Sequence, residues 1–413
     1  MPLTNSFDSN WICFQIGARE HYAIPIVLEQ KQNLSCLVTD AWIAPQSLLN
    51  LLPKPLLSNL RERYHPQLDN ASVRSFNFSL GKFEIEQKLK QKSSWQTIIN
   101  RNQWFQNKSL KLLQNFARNI NEPITIFSYS YAALEIFKFA KKQGWRTVLG
   151  QIDPGIYEEK IVARECSLYP QYASNWQPAP SQYWSDWQQE CDLADSIIVN
   201  SEWSNRALQK IGIENSKIEV VPLAYKPSQN NNYSKNHPKS FSTKRPLKVL
   251  FLGQIILRKG LARIIEAIEL LKNEAIEFWF VGSTNIDLPQ TIKNNSKVKW
   301  FGSVSRSTTA NYYQQADVFL FPTLSDGFGL TQLEARAWQL PIIASQNCGA
   351  VVKDKINGLI LPELTPNAIA DALRFCLQNP LQLQKFASQS CIDSEFSLHN
   401  LSNRLQAIAH GYI

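Results

Sequence analysis

The chain has 413 residues, too many for one ordinary core, and a length of about 150 residues per domain favours two domains. Hydrophobic residues make up 44% of it and charged residues 19%, a composition that excludes a disordered chain. The 43 Lys and Arg residues against 34 Asp and Glu give a net charge of +9, which suits anionic partners such as phosphates or a membrane surface and equally serves solubility. The basic clusters are not interleaved with regular aromatic residues, so we expect no nucleic-acid partner.

The seven cysteines are odd in number and scattered, without a CxxC pair or a metal-binding spacing. Several lie in apolar runs, as Cys36 does, which predicts buried thiols in a reducing compartment. Residues 1–20 lack a basic region followed by an apolar one, and nowhere are eighteen consecutive residues apolar. We therefore expect a cytoplasmic protein without a membrane-spanning segment.

The first half of the chain alternates β-rich apolar runs with helical patterns, which predicts a parallel sheet with crossover helices. The predicted strands are WICFQIG, LSCLVTD, ITIFSYS, RTVLGQID, residues 196–199 and IEVVPLAY, with helices at 25–30 and after the capping residue Ser201. Residues 45–120 are richer in charge and in amphipathic pattern, and they predict two or more helices between the early strands.

Acidic residues follow the strand that ends near residue 152. Asp153 would lie at the carboxyl edge of the sheet, where α/β folds bind ligands, although an Asp-Pro-Gly sequence is equally typical of a turn. Glu158, Glu159 and Glu165 form an acidic helical patch, for which a solvated helix face is the preferred interpretation. Asp153 is therefore the candidate catalytic residue of the first half.

The helical pattern at residues 102–120 places Trp, Phe and Leu residues near Lys108, Lys111 and Arg118. Such a surface could lie on an anionic bilayer that carries a lipid acceptor. Packing into the core explains the same apolar residues and is the preferred interpretation. A peripheral contact with the inner face of a membrane stays an alternative.

Residues 226–246 contain no aliphatic residue and many Asn, Ser, Lys and Pro residues, so they predict a linker. A second alternation begins directly after them, with strands LKVLFLG, IEFWFVG, VKWFGSV, DVFLFPT, PIIAS and GLILP. We therefore expect one domain at 1–225, a second at 247–390, and a C-terminal helix at 391–413 that could pack back on the first domain. No complete GxGxxG follows any strand, which disfavours a dinucleotide oxidoreductase.

The segment at 317–345 is the most informative of the chain. A buried strand leads into the turn Asp326-Gly327-Phe328-Gly329, and a helix with Glu334 in it begins directly afterwards. Glycines let backbone N–H groups approach a ligand, and a helix N-terminus favours anions. The alternative is a glycine-rich turn with a helix-capping Asp326 and a surface Glu334.

This segment resembles the acidic E-x7-E signature of family-4 retaining glycosyltransferases, also called glycosyl transferases group 1. The resemblance implies the GT-B fold, in which two Rossmann-like α/β domains face each other across a cleft. It also implies that Asp326 binds the transferred sugar and Glu334 the ribose of a nucleotide. The backbone residues that it assigns to donor binding are Gly327, Phe328, Gly329 and Leu330. Asp326 departs from the pattern, because the family usually has Glu there.

The sequence FLGQIILRKG at residues 251–260 is similar to the family's GR....KG turn, whose basic residues bind the donor pyrophosphate. Gly253, Lys259 and Gly260 match this turn, and Gln254 stands where the family has Arg. The adjacent Arg258 could supply the second cation. Two solvated cations before a helix are the alternative.

Weaker similarities extend the resemblance to other loops. The backbone at residues 302–304, which ends at Val304, would bind the nucleotide base. Gly17 and Arg19 lie in the turn after the first strand, where the family covers the donor phosphates. The family's histidine after the middle strand of the first domain is missing, and Ser128 and Ser130 stand near its place.

Two functions follow from the resemblance. The first is transfer of a sugar, with retention of configuration, from a nucleotide-diphosphate sugar to a glycan, lipid or small-molecule acceptor. We expect a UDP- or GDP-linked donor as substrate, no cofactor, and no metal, because the chain lacks a DxD triplet and cations can stabilise the departing diphosphate. The second is a catalytically impaired nucleotide-sugar-binding or scaffold protein, which the departures at Asp326 and Gln254 and the missing histidine would favour.

Overall fold

The computed structural model describes residues 10–47, 63–89, 94–119, 122–173, 176–227, 233–284 and 286–410. Two parallel β-sheets organise these residues, one with seven strands and one with six. The predicted α/β class with two Rossmann-like units is confirmed. Residues 228–232 of the predicted linker and residues 411–413 of the predicted last helix lie outside the described residues.

The first sheet contains seven strands that lie in the order β3-β2-β1-β4-β5-β6-β7, all parallel. They are β1 (Asn10–Gln15), β2 (Leu34–Thr39), β3 (Val73–Ser75), β4 (Ile124–Tyr129), β5 (Arg146–Gln151), β6 (Ser196–Val199) and β7 (Ile218–Val220). The central strands are buried along almost their whole length, as expected for a parallel sheet covered on both faces. The three-residue edge strand β3 was not predicted.

Within the described residues, seven helices connect these strands and cover both faces of the sheet. They are α1 (Ala23–Gln30), α2 (Asn77–Leu89), α3 (Ser94–Ala117), α4 (Leu134–Lys142), α5 (Ile156–Leu168), α6 (Ser181–Leu193) and α7 (Glu202–Lys210). Ser201 caps α7, since its side chain accepts a hydrogen bond from the backbone N–H of Ser204. This confirms the predicted helix start.

The second sheet contains six parallel strands in the order β10-β9-β8-β11-β12-β13. They are β8 (Leu247–Leu252), β9 (Ile276–Val281), β10 (Val298–Gly302), β11 (Val318–Phe321), β12 (Ile342–Ala344) and β13 (Gly358–Ile360). The helices are α8 (Leu261–Leu270), α9 (Gln290–Lys293), α10 (Arg306–Gln315), α11 (Leu330–Ala337), α12 (Pro366–Gln378), α13 (Pro380–Ser388) and α14 (Leu398–His410).

Each sheet has a point where the chain reverses its direction of winding. In the first sheet this point lies between β1 and β4, and in the second between β8 and β11. Parallel α/β sheets bind ligands outside the carboxyl ends of the strands at such points. In the second sheet, the loops after β8 and β11 are those that carry Lys259 and Asp326.

The segment before β8 is more ordered than its composition suggests. Lys235 is buried, and its ammonium group donates to the carbonyl oxygen of Tyr313 at 3.1 Å, near the end of α10. The backbone N–H of His237 donates to the Gln384 side chain at 2.8 Å. Lysine at a helix C-terminus satisfies carbonyls that have no partner within the helix. Residues 233–237 thus lie against the helices of the second sheet. That residues 226–246 are a linker between two domains stays a prediction.

The C-terminal helix α14 packs against the first sheet's helices. Leu401, Leu405 and Ile408 are buried in the same apolar cluster as residues of α1. Arg404 donates to the carbonyl oxygen of Val220 at 2.6 Å. The last helix therefore packs against elements of the first sheet.

Helix α3 uses its apolar side within the protein. Phe105 and Leu113 are fully buried in the core beneath it, and Trp104, Leu112 and Phe116 pack against that core. Core packing thus accounts for the apolar residues that suggested a membrane surface, and we propose no bilayer contact for this helix. None of the described helices is long and apolar enough to cross a membrane.

Helix α5 lies between the two sheets, and its acidic patch is not solvated. Glu165 is 2% exposed and receives a forked hydrogen bond from the Arg263 guanidinium of α8, at 2.7 and 3.1 Å. Val162 and Cys166 of α5 belong to the apolar cluster of the second sheet. The solvated-face interpretation of Glu165 is therefore wrong, because helical periodicity cannot show that another domain covers a charged face.

We expect Arg263→Met to lower the free energy of unfolding by about 3 kcal/mol, because Glu165 would keep a buried charge without its partner. Lys138→Met is the matched control, since its ion pair with Glu135 is 42% and 44% exposed and should matter little. Urea unfolding of both variants measures the difference. Equal stabilities would contradict a structural role for the ion pair between α5 and α8.

Candidate active site

The loops after β8 and β11 bring three charged side chains together. Lys259 forms an ion pair with Asp326, and the Arg258 guanidinium lies 3.8 Å from the same carboxylate oxygen. Lys259 and Asp326 are each 15% exposed, so the pair is shielded from most of the solvent. The sequence separation between these loops is 67 residues, and the sheet topology brings them to one edge.

Local backbone contacts fix the two loops against each other. Residues Leu257–Lys259 form a 3-10 turn that ends at Gly260, whose φ is +80°. A Cβ atom at Gly260 would lie 2.0 Å from the carbonyl oxygen of Pro322, so only glycine permits this approach. The N–H of Leu324 donates to the carbonyl oxygen of Arg258 at 2.8 Å. The glycine after Lys259 is thus required for the geometry of the ion pair.

Asp326 is ionised at neutral pH. Burial raises the pKa of its carboxyl group, but the charges of Lys259 and Arg258, together with the backbone N–H of Phe328, outweigh burial and lower the pKa below its ordinary value. The carboxylate therefore faces both cations, and its single negative charge balances one of their two positive charges. The N-cap of the following helix is Gly329, without a side-chain cap, so the capping alternative for Asp326 is wrong, and its assignment to the transferred sugar stays a prediction.

Helix α11 begins directly after this turn, with Gly329 as its N-cap at a φ of +84°. Its first N–H groups have no partner within the helix and carry a partial positive charge. Phe328 is buried and packs edge-on against Phe396 at 5.9 Å between ring centroids. Leu330, the first residue of α11, packs against the same cluster. Phe328 and Leu330 thus anchor the turn in the apolar cluster, and the backbone of the turn lies at the edge of the sheet.

The turn also contacts the first sheet's loops. The Ser201 hydroxyl donates to the carbonyl oxygen of Gly327 at 2.5 Å. A Cβ atom at Gly327 would lie 2.3 Å from the carbonyl oxygen of Ile152. The Trp203 indole donates to the Ser325 hydroxyl at 3.1 Å. The two sheets therefore face each other across the group formed by Arg258, Lys259 and Asp326.

Glu158 of α5 belongs to this group, and sequence reasoning missed it. Its carboxylate accepts from the Ser325 hydroxyl at 2.9 Å and lies 3.5 Å from Nε of Arg258. Burial raises its pKa to about 7, and Asp153 and Asp326 raise it too, although Arg258 lowers it. The solvated-face interpretation is wrong here as well. The available signal was its place in the first turn of the helix after Asp153, at the same sheet edge.

Asp153 lies on the first sheet's side of the cleft. Its Oδ1 accepts from the Tyr131 hydroxyl at 2.5 Å and from the N–H of Gly155 at 2.9 Å. Tyr131 has a φ of +74°, and its N–H donates to the buried carboxylate of Glu190 at 2.6 Å. Ser130 is buried, so Tyr131 is the side chain after β4 that reaches Asp153.

Glu334 is held apart from the cations by its own partner. Its Oε2 accepts from the hydroxyl of Tyr313, a buried residue of α10, at 2.8 Å. Burial raises the pKa of Tyr313 well above its ordinary value, and the neighbouring Glu334 charge adds to this. The hydroxyl therefore stays protonated and donates. The assignment of Glu334 to a ribose stays a prediction.

Two first-sheet candidates, Gly17 and Arg19, lie away from the three charged residues. The backbone N–H of Gly17 donates to the Asp40 carboxylate at 2.9 Å. This N–H lies in the turn that was predicted to cover the donor phosphates, and it already has a hydrogen-bond partner. The Arg19 guanidinium lies 5.3 Å from the centroid of the Tyr129 ring. Arg19 lines a cavity together with Tyr131 and Tyr183. In this arrangement neither residue contacts Lys259.

Gly253 and Val304 have structural contacts of their own. The N–H of Gly253 donates to the carbonyl oxygen of Val281 at 2.9 Å. The Val304 side chain lines a surface groove with Lys248 and Glu277, which lie near the amino ends of β8 and β9. Val304 also packs, partly buried, against the apolar cluster that contains Phe328. The predicted backbone contact of residues 302–304 with a base stays a prediction.

Six of the seven cysteines are buried and all are unpaired, which confirms the prediction for those six, while Cys391 is exposed. In the described ranges, no group of three or more His, Cys, Asp or Glu side chains could hold a metal ion.

Comparison with known proteins gives a partial family match. Residues 246–379 match the family model described as Glycosyl transferases group 1. The amylovoran biosynthesis glycosyltransferase AmsK of Erwinia amylovora is 24% identical over 229 residues, 51% of this chain and 55% of that protein. A D-inositol 3-phosphate glycosyltransferase of Kineococcus radiotolerans is 26% identical over 227 residues, 47% of this chain and 51% of that protein. The chain thus spans about half the length of these curated relatives.

Solved structures resemble the chain over nearly its whole length. HepE of Anabaena in complex with UDP-glucose has a TM-score of 0.61 at 15% identity, covering 98% of this chain and 100% of that one. Sucrose-phosphate synthase of Thermosynechococcus elongatus has a TM-score of 0.62 at 14% identity, covering 98% and 99%. At this identity the likeness shows the fold alone. The chain therefore has the GT-B fold, and within it residues 246–379 are similar to the Glycosyl transferases group 1 family.

Proposed function

We propose that this protein is a glycosyltransferase that moves a sugar from a nucleotide-diphosphate sugar to an acceptor hydroxyl. The observation that carries the proposal is the convergence of Arg258, Lys259 and Asp326 next to the start of α11, at the switch point of the second sheet. The family match over this part of the chain supports it. HepE was solved with UDP and with UDP-glucose, which supports a UDP-linked donor here.

The cations and the carboxylate of the site would bind different parts of the donor. A diphosphate would take Lys259 and Arg258 as its cations and the first amides of α11 as further donors. Asp326, released from the cations, would then accept hydrogen bonds from hydroxyls of the transferred sugar. When the sugar leaves, negative charge grows on the diphosphate, and cations already in place stabilise it without reorganisation.

Two finer features of the reaction are part of the proposal. Retention of configuration rests on the resemblance to family-4 enzymes, and the departing diphosphate would accept the proton of the acceptor hydroxyl. Metal independence rests on the two side-chain cations beside Asp326, which can balance the diphosphate charge. Full activity in EDTA, with the product anomer read by NMR, tests both features.

The impaired binding protein is the second candidate function. Gln254 lacks the cation of the family turn, but Arg258 lies within 4 Å of Asp326 and so places a second cation there. This contact favours the enzyme. A screen of UDP-, GDP- and ADP-sugars for hydrolysis and transfer decides between the two, and we expect turnover of a UDP-sugar. Binding of a nucleotide-sugar without any turnover would instead support the impaired protein.

We expect the affinity for the nucleotide-sugar to fall about three- to tenfold between pH 6 and pH 8. Below about pH 7 Glu158 carries a proton, which leaves Arg258 to the diphosphate; above it, the carboxylate competes for Arg258 and repels the ligand. Calorimetry with the intact nucleotide-sugar is the measurement, because its diphosphate diester does not titrate in this range.

The matched variants are Glu158→Gln, which keeps the hydrogen-bonding shape, and Glu135→Gln, an exposed carboxyl of α4. Glu158→Gln should flatten the pH dependence, and Glu135→Gln should leave it unchanged. An unaltered pH profile in Glu158→Gln would refute the competition for Arg258.

A further inference from the structure

A second cavity opens beside Arg258, on the side of α5. It measures about 380 Å³, within the range of about 300–1,000 Å³ that is usual for small-molecule sites. It lies between the first turn of α5, the start of α6 and the loop that carries Leu257 and Arg258. Because Arg258 and Glu158 line it, this cavity adjoins the proposed donor site.

Aromatic rings form one wall of this cavity. Tyr131 and Tyr183 are stacked, with ring centroids 4.9 Å apart and an interplanar angle of 16°. Trp95 and Trp184 each lie 5.1 Å from the Tyr183 ring. The wall is rigid, since the Trp184 indole donates to Glu159 at 3.0 Å and the Trp95 indole donates to the carbonyl oxygen of Gln177 at 2.9 Å.

Acceptor groups dominate the polar lining. Asp153 receives hydrogen bonds from Tyr131, Gly155 and Gln151, all at Oδ1, so within the described residues Oδ2 remains to accept from a ligand. Glu158 and Glu159 also line the cavity. Among the described residues that line it, Arg258 is the cation. Arg258 already faces Glu158 and Asp326. A second cation, Arg19, lies in the adjoining cavity behind Tyr131 and Tyr183.

We propose that this cavity holds the acceptor, and that the acceptor is the uncharged end of a carbohydrate. The apolar C–H face of a pyranose ring fits the aromatic wall, and its hydroxyl groups fit carboxylate acceptors such as Asp153. A phosphorylated or uronate-bearing acceptor would be repelled by Asp153 and Glu159. This inference rests on the proposed function, since it assigns the acceptor of the same reaction.

In the reaction, the bond between the anomeric carbon and the diphosphate oxygen breaks, and its electron pair stays on the diphosphate. The hydroxyl oxygen of the acceptor forms the new bond to the anomeric carbon. Its proton passes to the departing diphosphate. The cavity aligns the hydroxyl with the sugar near Arg258 and Lys259, which is a positioning role.

The test compares neutral oligosaccharides with the same oligosaccharides carrying a terminal phosphate or uronate, using the full chain and a UDP-sugar. We expect kcat/KM to be about tenfold or more higher for the neutral members. Tyr183→Leu should raise the KM for the neutral acceptor about tenfold, with a smaller change in the donor KM. Phe375→Leu, a partly exposed aromatic residue of α12, is the matched control, and melting temperatures report folding.

Donor hydrolysis in water separates the two proposals. If the wild-type protein turns over no donor, the proposed function fails. If it turns over a donor but uses charged or lipid-diphosphate acceptors as well as neutral glycans, the acceptor inference is overturned while the function stands. A folded Tyr183→Leu variant that keeps the wild-type acceptor KM would likewise overturn the acceptor inference alone.

Discussion

Lys259→Met should lower kcat/KM for sugar transfer by about 10²- to 10³-fold, the loss usually found when one preorganised group that stabilises a developing anion is removed. Lys259 is 15% exposed and lies 5.0 Å from the centroid of the Phe321 ring, in surroundings where water screens little of its charge. Met keeps the aliphatic stem and removes the ammonium group. Arg258 would then be the one cation of this group left to balance the diphosphate.

Steady-state kinetics with a UDP-sugar, together with calorimetric titration of UDP, measures this loss. Lys272→Met is the matched control. Lys272 lies just after α8 and forms an exposed ion pair with Glu269, three residues earlier in the chain. The control should keep the wild-type rate. A Lys259→Met protein that folds and transfers sugar at full rate would make the ion pair with Asp326 a structural feature only.

The part of the site that could be predicted from sequence is the part made by local rules. The alternation of strand and helix fixes which loops share a sheet edge, so Lys259 and Asp326 could be paired although 67 residues separate them. Gly260 follows Lys259 in the sequence, and its left-handed conformation is what the turn requires. Such features depend on the chain near each residue and on the rule that parallel strands share their carboxyl edge.

Contacts between the two sheets could not be predicted in this way. Glu158 and Ser325 are 167 positions apart, and no periodicity in the sequence shows that α5 faces the loop after β11. The same holds for Glu165 and Arg263. An acidic helical patch reads as solvated unless the position of the other domain is known.

Tyr131 shows how a departure from a family pattern can be misread. The missing histidine pointed to the serines at 128 and 130, which are buried. The residue that enters the cleft is one position further on, and its left-handed backbone, held by Glu190, turns the side chain toward Asp153. A non-glycine residue in this conformation is uncommon and needs a local reason. The sequence alone contains no sign of it.

Asp326→Asn should change binding and catalysis in opposite directions. The ionised carboxylate now occupies both cations, so replacing it with a neutral amide should let UDP bind several-fold more tightly, on the order of 1 kcal/mol. Transfer should nevertheless fall about 10- to 100-fold, because hydrogen bonds from sugar hydroxyls to a charged acceptor are worth about 1.5–3 kcal/mol. Lys259→Met, by contrast, should weaken both UDP binding and transfer.

The opposite signs make this pair of variants decisive. Asn preserves the shape of the turn, since its side-chain oxygen can still accept from the backbone N–H of Phe328. Asp371→Asn, which neutralises an exposed carboxylate of α12 paired with Arg374, controls for the change in net charge. If Asp326→Asn binds UDP more weakly while it transfers sugar normally, the carboxylate neither competes with the diphosphate nor holds the sugar. The ion pairs of Asp326 with Arg258 and Lys259 would then serve the structure of the two loops, and donor binding would depend on the cations alone.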